Sequence, residues 1–328
     1  MQLNDIFASG MVFAAGQPIR IYGTGNGSAE ITFAGSTKKI TGENGAWYTE
    51  FPPMEYGGPY ELAFTTEEKQ IVLDDIYIGD VYLFAGQSNM EFIIKGGKDD
   101  LSLCESNEML RLFMPHCIDR NNFFSPDSGW VKAEISTIPE WPSVAYFAGL
   151  KLAKEKGVAI GIIACSQGAS VIESWVPGDI FQKNGIAVTR EEKTEDHGNS
   201  WNENGLLYDY MLRQVIPFAL TGIVWYQGES DTSIAEAKVY GKELAILIDC
   251  WRKDFQNPDL PFAIIQIADF DKQAHNPGWK LLQQAQYDIQ FSVPNVTTVI
   301  SKDVCASDDI HPPRKYALSE RLAASLLG

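Results

Sequence analysis

Residues 79–91 read GDVYLFAGQSNME and give the first indication of the fold class. Its first half is an apolar run of strand length, and Gly86 and Ser88 follow directly after it. Further apolar runs of similar length alternate with amphipathic helical patterns; they cover residues 158–164, 222–226, 262–267 and 296–300. Nearly continuous apolar strands that alternate with helices predict a parallel sheet covered by helices on both faces.

The clearest helical pattern is one apolar face with helical spacing, made by Tyr240, Leu244, Leu247, Ile248 and Trp251.

Residues 1–76 have a different sequence pattern. Short alternating segments there are separated by turn signals, for example at residues 23–27, 43–45 and 57–59. Such spacing predicts a small antiparallel β-sandwich or jelly-roll-like unit. We therefore expect a β-rich domain over residues 1–76 and an α/β domain over residues 77–328.

The 328-residue chain is strongly acidic, with 43 Asp and Glu against 26 Lys and Arg and a formal net charge of −17. An acidic surface repels phosphate backbones and anionic lipid head groups, which argues against nucleic-acid and membrane partners. An anionic small substrate remains compatible, because one local arginine outweighs a distant field that salt screens beyond about 10 Å.

The five cysteines are scattered and lack CxxC spacing, which favours reduced thiols, predicts no zinc site and indicates a cytoplasmic protein. No run of about 18 apolar residues is present, and the start of the sequence has no signal-peptide pattern. A signal peptide removed before the first residue would leave the same sequence. The sequence makes no prediction of oligomeric state.

Polar residues follow each of the predicted strands at its carboxyl end. In an open parallel sheet this edge is where ligands bind. The segments that arrive there are GQSNME at residues 86–91, SQGAS at 166–170, QGESD at 227–231, SKD at 301–303 and DDIHP at 308–312. Hydroxyl, amide, small and imidazole groups gathered at one edge are the arrangement that an acyl-transfer site needs.

Ser88 is the candidate nucleophile and His311 the candidate base. A serine on a tight turn after a buried strand projects its hydroxyl into a crevice; alternatively, it caps the following helix. Of the four histidines, His311 alone has carboxylates two and three residues upstream and two prolines behind it. An imidazole that takes the serine proton needs an acceptor for its other N–H. Asp308 is the first candidate for that acceptor, and Asp309 is the second.

An oxyanion hole needs donors aimed at the point where negative charge develops. The expected donors are the backbone N–H groups of Ser88 and Gly168 and the side-chain amide of Gln227. Gln167 and Asn89 are alternative donors.

Three side chains near the motifs are expected to contact the substrate. Gln87 and Asn89 flank the candidate nucleophile, and Trp175 lies beyond a strand end in a loop-like stretch. Trp225 and Tyr226 are expected to be core residues, because both lie within a predicted strand.

The segments GQSNM at residues 86–90, WYQGESD at 225–231 and DIHP at 309–312 together resemble the sialate O-acetylesterase family of the SGNH hydrolases. GASVIESW at 168–175 is similar to that family's Gly-Gly-Thr-x-Ile-Glu-x-Trp segment, with Ala169 and Ser170 replacing Gly and Thr. GAW at 45–47 and GGPY at 57–60 resemble its β-rich leader. The resemblance thus covers most of the chain.

This resemblance implies a three-layer α/β/α, flavodoxin-like SGNH hydrolase domain over residues 77–328 that uses no metal or other cofactor. It implies a Ser-His-Asp triad or a Ser-His dyad, with Ser88 as nucleophile, His311 as base and Asp308 as orienting acid. Ser88, Gly168 and Gln227 would form the oxyanion hole. SGNH enzymes commonly have Asn in the third motif, whereas this chain resembles a QGES branch, and it lacks the β domain inserted in longer members.

The expected function is removal of O-acetyl groups from carbohydrates, with O-acetylated sialic acids as the first candidate substrates. Acetylxylan or another plant polysaccharide is the alternative substrate, and a non-catalytic carbohydrate-binding protein on the same scaffold is the alternative class. An α/β-hydrolase lipase fits less well, because its GxSxG motif has Gly where this chain has Met90.

Overall fold

The computed structural model describes residues 1–118, 124–186, 199–272 and 276–328. The strands are β1 Gln2–Leu3, β2 Val12–Ala14, β3 Ile19–Thr24, β4 Gly27–Phe33, β5 Ser36–Gly42, β6 Ala46–Phe51, β7 Gly57–Thr66, β8 Gln70–Gly86, β9 Asn107–Phe113, β10 Val131–Ala133, β11 Ile160–Ser166, β12 Gly222–Tyr226, β13 Phe262–Ile265 and β14 Val296–Val299. The helices are α1 Ser88–Glu91, α2 Ser143–Lys156, α3 Ile180–Lys183, α4 Leu206–Tyr210, α5 Ile234–Asp254, α6 Trp279–Ser292 and α7 Tyr316–Leu327.

Strand β8 lies at the centre of the larger sheet, whose strand order is β10-β9-β11-β8-β12-β13-β14. It pairs in parallel with β11 on one side and with β12 on the other. The pairs β11–β9, β12–β13 and β13–β14 are also parallel, whereas β10 runs antiparallel to β9. With seven helices along the described chain, the predicted mixed α/β class is confirmed. The sequence interpretation missed β9 and β10, which lie outside the recognised motifs.

Some of the amino-terminal strands are joined to this sheet by hydrogen bonds, and others form a separate sheet. Strands β1, β3 and β6 form a small antiparallel sheet, while β4, β5 and β7 continue the larger one. Residues 70–78 of β8 pair with β7, and residues 80–86 of the same strand pair with β11. The expected boundary between residues 76 and 77 therefore lies inside one continuous strand.

Helix α5 forms as its apolar spacing predicts. Ser233 and Glu236 make reciprocal side-chain to backbone hydrogen bonds at its amino terminus, which satisfy backbone groups that the helix itself leaves unpaired. The side chains of the predicted apolar face are all fully buried; they are Tyr240, Leu244, Leu247, Ile248 and Trp251. Within the described ranges, every helix is too short or too polar to cross a membrane.

Backbone hydrogen bonds extend the sheet past its strand ends. The N–H of Gln87 donates to Tyr226 O at 3.0 Å, and the N–H of Gln167 donates to Gly86 O at 3.0 Å. The segments that follow β8, β11 and β12 therefore leave the sheet side by side at one edge.

Candidate active site

The candidate nucleophile follows a position that requires glycine. Gly86 has φ +144°, and a Cβ built on it would lie 2.1 Å from Tyr226 O of the neighbouring strand. Only glycine adopts this conformation without strain and fits this space. The chain then turns, and Ser88 becomes the first residue of α1 with Gln87 at the cap position. The alternative in which Ser88 caps the helix is therefore wrong.

Ser88 and His311 meet across the sheet edge. His311 Nε2 lies 2.7 Å from Ser88 Oγ, although the two residues are 223 positions apart in the chain. Both side chains are partly exposed, so a substrate can reach them. In the tautomer that carries its proton on Nδ1, the imidazole accepts a hydrogen bond from the serine hydroxyl at Nε2. A serine nucleophile with its general base needs this contact.

The other histidines are placed elsewhere or not described. His116 is exposed and lies 3.7 Å from Asp5, and His197 and His275 fall outside the described residues.

Gly168 lies directly against the candidate nucleophile. A Cβ built on Gly168 would be 3.6 Å from Ser88 Cβ and 3.3 Å from Glu91 Oε2. Gly168 follows β11, and the next residue, Ala169, has φ +53°, so the chain turns sharply here. The structure thus brings together three of the predicted site residues: His311 contacts the Ser88 hydroxyl, and Gly168 lies beside Ser88.

The two candidate acids lie at the surface of the loop before His311. Asp308 and Asp309 are both exposed. Asp309 Oδ1 accepts a hydrogen bond from the backbone N–H of His311 at 2.9 Å, so this carboxylate fixes the backbone of the histidine. The role of Asp308 as orienting acid stays a prediction.

Gln227 has an environment that differs from the expected one. Its side chain is fully buried, and its amide nitrogen donates to Ser170 O at 2.8 Å and to a carboxylate oxygen of Asp231. Its side-chain oxygen accepts a hydrogen bond from the Tyr240 hydroxyl at 3.0 Å. The predicted oxyanion role of Gln227 is therefore wrong, because both N–H groups of the amide already have acceptors in the protein.

Gln87 supports the neighbouring turn rather than facing a substrate. Only 2% of it is exposed, and its side-chain oxygen accepts from the backbone N–H groups of Gly228 and Ser230 at 3.1 and 3.4 Å. Its amide donates to Ser230 Oγ at 3.3 Å. The expected substrate contact is therefore wrong, because these bonds tie the nucleophile turn to the turn after β12.

Asn89 is also turned into the protein. It is 1% exposed, and its amide nitrogen donates to Glu229 Oε1 at 2.6 Å and to Ile310 O at 2.9 Å. Its oxygen accepts a hydrogen bond from Lys315 Nζ at 2.5 Å. Neither of the two expected roles, substrate contact or oxyanion donor, fits a side chain whose donors and acceptor are used in this way.

Trp175 belongs to the core. The ring is fully buried, its N–H donates to Ser170 Oγ at 2.9 Å, and it packs edge-to-face on Trp225. The expectation that Trp175 lines the substrate pocket is wrong, because its ring is fully buried in the core. Trp225 and Tyr226 are fully buried as predicted.

Sequence reasoning missed Lys315, which is fully buried at the start of α7. Its ammonium lies over the rings of Phe92 and Tyr226, 5.3 and 5.6 Å from their centroids. Burial lowers the pKa of Lys315 to about 8, against favourable interactions with acidic neighbours that include Glu229 and Asp99. Its position four residues after the histidine was the available signal, but a lysine in HPPRK reads as a surface residue.

Comparison with known proteins decides the family. The model of the family described as "Carbohydrate esterase, sialic acid-specific acetylesterase" matches residues 78–327. The chain belongs to this family. The resemblance predicted from the motifs is thereby confirmed.

The chain is also similar to individual known proteins. The chain is 25% identical over 348 residues to sialate O-acetylesterase from Homo sapiens, covering 94% of this chain and 66% of that protein. It therefore spans slightly less than two thirds of that relative's length. It is 27% identical over 264 residues to a probable carbohydrate esterase from Arabidopsis thaliana, covering 75% of this chain and 88% of that one.

A solved structure extends the likeness to nearly the whole chain. The crystal structure of a carbohydrate acetylesterase from Xanthomonas citri superimposes with a TM-score of 0.84 at 27% sequence identity, and the match covers 98% of this chain and 73% of that one. The amino-terminal strands are thus part of the shared architecture.

Proposed function

We propose that this protein is a serine esterase that removes O-acetyl groups from carbohydrates, with O-acetylated sialic acids as substrates. One observation carries the proposal: Ser88 Oγ lies 2.7 Å from His311 Nε2, with the backbone of Gly168 beside the serine. Sialate O-acetylesterases among the relatives support the choice of substrate. The three-layer, flavodoxin-like arrangement belongs to the same proposal.

The proposed reaction has two steps. Ser88 Oγ attacks the acetyl carbonyl carbon while His311 Nε2 takes the hydroxyl proton, and the backbone N–H groups of Ser88 and Gly168 stabilise the oxyanion. The imidazolium then returns its proton to the departing sugar oxygen, which leaves an acetylated serine. Water attacks this ester as His311 takes its proton, and acetate departs when the serine recovers its hydrogen.

An acid that accepts the Nδ1–H of His311 holds the imidazole in the tautomer this reaction needs. We assign this part to Asp308, with Asp309 as the competing carboxylate. Gln227 has no place in the proposed oxyanion hole, because its amide hydrogens are bonded to Ser170 and Asp231.

The test is hydrolysis of 4-nitrophenyl acetate, followed by acetate release from O-acetylated sialic acid and from acetylxylan at matched ester concentration. Ser88→Ala should lower kcat for the chromogenic ester by roughly 10⁴-fold or more. Ser292→Ala is the matched control, since this serine on α6 bonds only the carbonyl of Ile289 among the contacts of its side chain that the structure gives. Retained turnover in Ser88→Ala would end the assignment. Faster acetate release from acetylxylan than from O-acetylated sialic acid would make acetylxylan the assigned substrate instead.

A further inference from the structure

The orientation of the Asn89 amide is fixed by the chemistry of its neighbours. A lysine ammonium can only donate, so the atom that Lys315 Nζ contacts at 2.5 Å is the amide oxygen. A carboxylate and a carbonyl accept, so the atom facing Glu229 Oε1 and Ile310 O is the amide nitrogen. The amide therefore lies between a cation and an anion, and hydrogen bonds to charged groups are the stronger kind.

Burial of a lysine side chain at position 315 carries a free-energy cost. Its side chain is fully buried, and moving an ammonium out of water requires compensating partners. Burial lowers its pKa, whereas Cys305, Glu229, Asp99 and Asp309 oppose that effect. Packing alone would be served by an apolar side chain of similar length. The hydrogen bond to Asn89 is what an apolar side chain would lose.

The backbone around this lysine is also fixed. Asp99 accepts hydrogen bonds from the N–H groups of Lys315 and Tyr316 at 2.7 and 3.2 Å, which satisfies backbone groups at the start of α7. The N–H of Lys98 donates to Pro313 O at 2.8 Å. The backbone is thus held by hydrogen bonds at Pro313 and again at Lys315 and Tyr316. The ammonium therefore reaches Asn89 from a fixed segment of the chain.

Asn89 connects the two members of the candidate pair, because it is the chain neighbour of one and binds the chain neighbour of the other. Asn89 follows Ser88 in the chain, and Ile310, whose carbonyl it binds at 2.9 Å, precedes His311. One side chain thereby links the nucleophile turn to the histidine loop, which come from opposite ends of the domain. A displacement of about 1 Å between reacting groups can cost about 100-fold in rate.

We propose that Lys315 is a positioning residue: its buried ammonium fixes the amide of Asn89, and that amide holds the histidine loop so that His311 stays within reach of Ser88. The inference rests on the proposed Ser88–His311 mechanism. It assigns Lys315 no contact with the substrate, so its removal affects kcat and leaves substrate binding largely unchanged.

The test uses the full chain with Lys315→Met, Asn89→Leu and the double variant. We expect Lys315→Met to lower kcat about 10- to 100-fold with KM within about twofold of wild type. Because the lysine acts through Asn89, adding Lys315→Met to Asn89→Leu should cost less than about twofold more. Lys151→Met is the matched control: this lysine also contacts α7, through Glu320 at 2.8 Å, but it should keep wild-type kcat.

Two further measurements keep the inference falsifiable. Asn89→Asp retains an oxygen for Lys315 but replaces the donor that binds Ile310 O, so it should lose kcat as Lys315→Met does. This variant decides the role of the Asn89 link if Lys315→Met does not fold. The rate at which a fluorophosphonate labels Ser88 should fall in parallel, since this reaction needs the Ser88–His311 pair and no acetyl group.

Wild-type kcat in folded Lys315→Met or in Asn89→Asp would overturn the inference, as would losses that multiply in the double variant. Absence of acetyl-ester hydrolysis by the wild type is a different failure, that of the proposed function. In that case the fluorophosphonate rates of the same variants still decide the role of Lys315.

Discussion

The backbone of Gly86 packs directly against the carbonyl group of Tyr226, so strands β8 and β12 meet without a side chain between them just before Ser88. A Cβ on the glycine would stand 2.1 Å from that oxygen, and the φ of +144° independently disfavours any other residue. The position of the Ser88 hydroxyl thus depends on the presence of glycine, which has no side chain, at position 86.

Gly86→Ala should therefore affect both stability and activity. We expect the free energy of unfolding to fall by more than about 1 kcal/mol and kcat to fall about tenfold or more, because the nucleophile turn must move. Urea denaturation and hydrolysis of 4-nitrophenyl acetate measure the two effects.

Gly157→Ala is the matched control, since Gly157 has φ +64° but no heavy atom within 4 Å of a built Cβ. It should lose about 1 kcal/mol of stability from its strained backbone and keep wild-type kcat. Equal results for the two variants would show that close approach to Tyr226 has no role.

Trp175→Phe tests whether this residue is part of the core. The variant loses the hydrogen bond to Ser170 Oγ and leaves a buried hydroxyl without that donor. We expect a loss of about 1–3 kcal/mol in the free energy of unfolding, with KM for each acetyl ester within about twofold of wild type. A large increase in KM with unchanged stability would restore the substrate-contact role.

The sequence predicted those parts of the site that depend on motif and strand order. The apolar run before Ser88 indicated a central strand, and the carboxyl-end rule placed the turns after β8, β11 and β12 at one edge. His311 could be selected because no other histidine has carboxylates two and three residues before it together with two prolines directly after it. The Ser88–His311 contact follows from this combination of topology and local chemistry.

The sequence could not predict which polar side chains turn inward. Gln87, Asn89 and Gln227 all lie beside the candidate nucleophile or at a neighbouring strand end, yet each is buried and bonded within the protein. An amide beside a catalytic group can bind the substrate, and it can equally well form buried hydrogen bonds that hold neighbouring segments together. The choice depends on partners such as Lys315, which are close only after folding.

The two carboxylates before His311 are distinguished by a matched pair of variants. Asp308→Asn should lower kcat by about 10²- to 10⁴-fold if this acid orients the imidazole, since the Asn amide can donate to Nδ1 and thereby favour the imidazole tautomer that carries its proton on Nε2. Asp309→Asn should stay within about threefold of wild type, because its amide oxygen can still accept the backbone N–H of His311. A large loss only in Asp309→Asn would exchange the roles, and wild-type kcat in both would favour a Ser-His dyad.

The pKa of Lys315 predicts how stability changes in alkaline solution. Burial lowers this pKa to about 8 in the folded protein, from an ordinary value of 10.5. Between these pH values the unfolded chain holds a proton that the folded protein has released, so the free energy of unfolding rises with pH. At about 1.4 kcal/mol for each unit of difference, the rise amounts to about 3 kcal/mol at most.

Lys315→Met removes this group, so the unfolding free energy of wild type relative to the variant should increase from pH 8 to pH 10 in urea denaturation. Lys151→Met is the control, because its hydrogen bond with Glu320 raises the pKa of Lys151 instead, and it should show no such increase. A wild-type advantage over Lys315→Met that stays constant from pH 7 to pH 10 would mean that the buried amine keeps its proton throughout. The cost of burying the charge would then be offset entirely by Asn89, the two aromatic rings and the acidic groups around it.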